Sequence, residues 1–179
     1  MKTLRGLVRD RNGAAAAEMA LVLPLLCALF CSFIEIGNYF MDEHRLIKAV
    51  RDGARYAARQ DASNFTGCTA GSAPGGTVVA DTQNVVMNGV YSGGNPTLPN
   101  VSTSNVTVTI VGCSTSVGSG PTVLGGFYTG FKNGSGTVVG APIVQVSASV
   151  PYAPALRAFG WSGSGLTINA SQQAAVMGW

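Results

Sequence analysis

Hydrophobic and polar positions change rhythm three times along the chain. A head bearing Lys2, Arg5, Arg9 and Arg11 leads to Gly13 and four alanines, and residues 19–34 then form an apolar run. That run continues past Glu35 through Ile36, Tyr39, Phe40 and Met41. Counted from Ala14 it covers about 28 positions, long enough for a helix to cross a bilayer core with some tilt. Pro24 lies inside it and predicts a kink, because its ring clashes with the carbonyl one turn back. From residue 42 the pattern turns amphipathic. Leu46, Val50, Gly53 and Ala57 recur at helical spacing, with Arg45, Lys48, Asp52, Arg55 and Arg59 mostly on the other side. One helix running to about Gln60 is predicted, on the order of 70 Å long from Ala14. Gly53 and Ala54 stand where a leucine would ordinarily serve, and predict close approach by a strand or a second helix.

The third rhythm begins after a loop at residues 62–76. Val78, Val79, Val85, Val86 and Val90 recur at helical spacing and predict a short second helix within residues 78–91. Strict alternation follows at Val106, Val108 and Ile110 and again at Val144, Val146, Ala148 and Val150, with threonine, serine or glutamine between. Both read as half-buried strands, and Leu166, Ile168 and Ala170 begin a third. Asn133-Gly134 has the composition of a hairpin tip. The expected fold class is α+β, with a long N-terminal helix packed on a small antiparallel sheet head. The chain divides into a leader (1–13), a membrane-spanning helix (14–41), its extramembrane continuation (42–60) and a head (61–179).

One carboxylate interrupts the apolar run. Glu18 follows the alanines directly, and an unpaired carboxylate in hydrocarbon costs roughly 2.5–3.5 kcal/mol on the mildest insertion scales. In an ordinary secretory signal the small-residue cleavage site follows the apolar stretch; here the small residues precede it. Were the chain cut after Gly13, Ala14 would become the new terminus and Glu18 would lie one helical turn along on the same face. A neighbouring helix could then bring its own free ammonium to Glu18. The plainer reading is an uncleaved signal anchor whose glutamate faces another helix.

Glycine, four residues, then glutamate at the head of an apolar helix resembles the processing site of type IV prepilins and pseudopilins. GAAAAEMALVLPLL, the Glu35–Ile36–Gly37 step and AVRDGARYAARQ together resemble the TadE-like family, minor pilins or pseudopilins of the tight-adherence (Flp-type) pilus system. VQVSASVPYAPAL and LTINASQQAAVMG resemble the C-terminal part of longer members, so the likeness covers residues 9–60 and 143–178. Met19 stands where many relatives carry an aromatic. The resemblance implies cleavage by a prepilin peptidase on the cytoplasmic side. It implies as partners a major Flp-type pilin, another minor pilin and the inner-membrane assembly platform, besides membrane lipid.

Composition sharpens the compartment. Charged residues are 11% of the chain, against about 25% on average. Residues 1–61 hold nine of the 11 basic side chains and seven of the eight acids, leaving only Asp81, Lys132 and Arg157 beyond. A head dissolved by serine, threonine, asparagine and glycine offers no phosphate-neutralising patch, which argues against nucleic acid as a partner. Cys27 and Cys31 fall at i, i+4 inside the apolar helix and read as packing residues. Cys68 and Cys113 are the remaining pair; a disulfide between them, rather than two free thiols, suits a small glycine-rich head in an oxidising compartment. Four basic residues before the span and five within twenty after it leave the positive-inside rule undecided. A cytoplasmic N-terminus and a periplasmic head rest on the cleavage motif and the expected disulfide.

No convergent reactive groups are in view. His44 is the one histidine, beside Glu43, and reads as a solvated surface residue. There is no nucleophile elbow and no phosphate-binding loop, and Asp81 is the only acid beyond residue 61. No C-x-x-C or clustered histidine suggests zinc. The expectation is a non-enzyme without cofactor or metal: a minor pilin of a Tad/Flp-type pilus, cut after Gly13, with Gly13, Ala14 and Glu18 serving processing and assembly. The alternative is an uncleaved, membrane-anchored binding module or adhesin.

Overall fold

The computed structural model describes residues 11–65, 68–114, 128, 131, 136, 140–160 and 162–177. The expected hairpin tip at Asn133-Gly134 and most of the leader lie outside these. Helix α1 (Arg11–Ala58) is continuous for 48 residues and contains Pro24. It begins three residues before Ala14 and stops two before Gln60. Helix α2 (Val78–Asn88) is shorter than its valine pattern suggests: Gly89 takes a left-handed conformation (φ +75°) and donates its N–H to the Val85 carbonyl. This closes the helix as glycine C-caps do, and Val90 is left exposed.

The strands fall where the alternation placed them. Strands β1 (Val106–Ser114), β2 (Ala141–Pro151) and β3 (Thr167–Ala175) form an antiparallel meander with β2 in the centre. Val108 faces Val146, and Val146 faces Gln172 across the next ladder. One face carries Val106, Val108, Ile110, Val144, Val146, Ala148, Val150 and Ile168, all buried. The other carries Gln145, Ser147 and Ser149 opposite Gln173, Ser171 and Asn169, with Gln173 donating to the Gln145 side chain at 2.8 Å. Uncharged amides and hydroxyls therefore make up the open face of the sheet.

The buried face closes on the second half of α1. Leu46, Val50, Ala54 and Ala57, repeating every turn, are fully or almost fully buried and share one core with Val78, Val86 and the sheet. The close approach expected at Gly53 comes from a helix: a Cβ added there would overlap Val86 Cγ2 and lie 3.5 Å from Thr82 Cγ2. At the far end, Met177 donates its backbone N–H to the Ala58 carbonyl at 2.7 Å, tying the end of β3 to the end of α1. Cys68 and Cys113 are joined by a disulfide, their Cα atoms 5.5 Å apart. The bond fastens the loop after α1 to β1 just beyond a bulge between Ile110 and Gly112.

Candidate functional site

Two regions of α1 carry groups that packing of the head does not account for. The first is its N-terminal half. Met19, Leu21, Leu25, Phe30, Phe33 and Ile34 are all more than half exposed, and the exposed Ala20, Pro24 and Cys27 take up the side of the helix between them. A helix apolar all round is made to be surrounded by lipid or by other helices. Within the first turns, Gly13, Ala14 and Glu18 are exposed, and open space surrounds the position of a Gly13 Cβ. No hydrogen bond or ion pair reaches Glu18 among the described residues. Pro24 and the thiol of Cys27 are also exposed. Gly13, Ala14 and Glu18 thus lie together on a bare helix end, away from the head.

The second region is the neck, where the head first meets α1. Glu35, Asn38, Tyr39 and Asp42 follow one another at i, i+3, i+4 and i+7, in line with Leu46 and Val50 below them. Glu35 is only 5% exposed. Its Oε1 accepts from the Tyr152 hydroxyl at 2.6 Å and from the Ala155 N–H at 3.2 Å, and its Oε2 accepts from the Leu156 N–H at 3.1 Å. Ala155 and Leu156 open the 3-10 helix Ala155–Phe159, whose N-cap is Pro154. The first N–H groups of any helix lack intrahelical partners. Here a carboxylate from α1, 120 residues away in sequence, receives two of them. A charged acceptor makes such bonds roughly twice as strong as neutral ones.

Tyr152 completes the neck. Its hydroxyl accepts from Asn38 Nδ2 at 3.0 Å, and its ring meets that of Tyr39 edge-on, with centroids 5.3 Å apart. Burial, and then the hydrogen bond to Glu35, push its pKa up to about 12. Asp42 is buried as well and pairs with Arg45 at 3.0 Å. Sequence reasoning had carried residues 35–41 into the apolar span without giving Glu35 a role. The available sign was the polar stripe Glu35, Asn38, Tyr39, Asp42 in register with the apolar stripe that follows.

No metal cluster of three or more His, Cys, Asp or Glu occurs among the described residues. Searches of curated proteins and of solved structures return no match. The helix is where a family likeness lies, and the C-terminal likeness read at residues 143–178 falls outside it. Residues 13–55, from the glycine before the alanines to the third turn of the head-packed stripe, match the family model described as TadE-like protein.

Proposed function

We propose that this chain is a minor pilin-type subunit that takes part in assembly of a Tad/Flp-type pilus and, through it, in surface adhesion. It acts by assembly, with no catalytic role. A prepilin peptidase removes residues 1–13, and the mature chain starts at Ala14. The precursor sits in the inner membrane with its N-terminus cytoplasmic and its head periplasmic. The major Flp-type pilin, a second minor pilin and the inner-membrane platform are its partners.

The observation that carries this reading is Glu18, an exposed carboxylate without a partner among the described residues, on the half of the helix whose other described side chains from Ala14 to Ile34 are apolar or, at Ser32, uncharged. In hydrocarbon it requires a partner, and the new ammonium of an adjacent subunit's Ala14 supplies one of opposite charge. Such buried pairs are best attested as devices that set register. The Glu18→Ala variant is expected to insert into the membrane normally yet fail to enter pili; normal incorporation would overturn the role given to Glu18. The mass of the mature N-terminus tests the processing step. Ala14 as first residue supports it, whereas an intact Met1 in piliated cells leaves an anchored binding module as the better account.

A further inference from the structure

Two cavities meet at the neck and share Tyr152 and Leu166 as walls. The first, about 400 Å³, opens beside α1 between Ser32, Ile36, Phe40 and Leu166. Its size falls within the range of ligand pockets, and its surface is apolar. The second, about 670 Å³, is bordered by Arg157, by Ser162 and Ser164 in the turn before β3, and by Thr167 at the start of that strand. Arg157 is exposed and forms no ion pair among the described residues, and it is one of only two cations beyond residue 61. Leu166 is half exposed, and Ile36 and Phe40 are slightly more so.

Height along α1 indicates what these cavities face. From Gly13 to Glu35 the helix rises about 33 Å at 1.5 Å per residue, close to the roughly 30 Å of a bilayer's hydrocarbon core. Glu35 holds the start of the 3-10 helix at that same height. With the span counted from Gly13, and its last turns to Met41 in the headgroup layer, the apolar cavity, lined from Ser32 to Phe40, straddles the level where acyl chains end, and the cavity bordered by Arg157 adjoins it.

We propose that the neck is a binding site for one phospholipid of the surrounding bilayer. An acyl chain lies in the cavity between Ser32, Ile36, Phe40 and Leu166, and the lipid phosphate is held by Arg157 with the hydroxyls of Ser162, Ser164 and Thr167. Arginine suits this task because its planar fork pairs with phosphate oxygens in two parallel hydrogen bonds. The site rests on the membrane-spanning reading of α1.

The test uses the full chain in phosphatidylcholine vesicles containing phosphatidylglycerol with a photoactivatable acyl chain. Crosslinked residues are mapped by mass spectrometry. Crosslinks at Leu21 and Leu25 report ordinary lipid contact of the span. Crosslinks at Ile36, Phe40 and Leu166 are expected to exceed them. In Arg157→Gln they should fall roughly fivefold, the factor that one cation near an anionic membrane surface contributes. Leu21 and Leu25 should be unaffected in that variant, and Arg157→Lys should retain part of the signal. Crosslinks at Ile36, Phe40 and Leu166 no stronger than at Leu21, or unchanged in Arg157→Gln, overturn the lipid site while the span stands. Absence of crosslinks at Leu21 and Leu25 overturns the span, and the lipid site with it.

Discussion

Glu35 shows how much one side chain can hold. A carboxylate offers acceptors on both oxygens, and here both are used, one by the Tyr152 hydroxyl and Ala155 N–H and the other by Leu156 N–H. Glutamine has nearly the same shape but only one acceptor, so in Glu35→Gln an amide N–H₂ must face a backbone N–H. Bonds to a charged acceptor contribute about 1.5–3 kcal/mol, and the head of Glu35→Gln is expected to lose stability of that order in urea unfolding followed by near-UV circular dichroism. Tyr152 adds a pH dependence. Its pKa in the fold, about 12, lies above the ordinary 10.0, so the folded state favours the neutral phenol. That contribution is whole below pH 10 and is lost as pH rises towards 12. Melting temperature should drop across this window, and Tyr152→Phe should remove the part of the drop that belongs to this phenol. None of this was legible locally. The spacing of Glu35, Asn38, Tyr39 and Asp42 marks one face of a helix, but the groups that answer Glu35 lie 117 to 121 residues downstream.

At the scale of elements, periodicity was informative because each element buries a single face. The stripe Leu46, Val50, Gly53, Ala57 is buried as its spacing requires, and Val144, Val146, Ala148 and Val150 alternate inward as a central strand should. Helix α2 departs from its pattern at the C-terminus, since Val90 continues the valine spacing but Gly89 ends the helix. Backbone geometry overrode periodicity there. Gly53 is the opposite case, a gap in side-chain size that correctly signalled a close neighbour. Thr82 and Val86 fill the place of its missing side chain, and a methyl group there must displace Val86 or part the helices. Overpacking of this kind costs about 1–3 kcal/mol. Gly53→Ala should destabilise the head by that amount in the same unfolding assay, and adding Val86→Ala should return part of the loss.

At the scale of the molecule, the chain joins a bare apolar rod to a head that carries almost no charge. The head compensates for its glycine content with a cross-link. Closing a loop across 45 residues of sequence, the Cys68–Cys113 bond stabilises by about 3–4 kcal/mol on the chain-entropy account. Reduction of the purified protein should lower the head's unfolding midpoint accordingly, and Cys68→Ser/Cys113→Ser should show the same midpoint with or without reductant. The pairing was readable because these are the two cysteines outside the apolar helix. The neck was not readable, because it joins the start of the head-packed helix to a segment near the end of the chain. That junction also has a mechanical meaning. The same unbroken helix passes from the bare half into the core, and Glu35, Tyr152 and the 3-10 helix leave no swivel at the join. Rotating the anchor about its long axis must therefore carry the amide-and-hydroxyl face of the sheet through the same azimuth, so neighbours that grip the rod also choose which way the head looks.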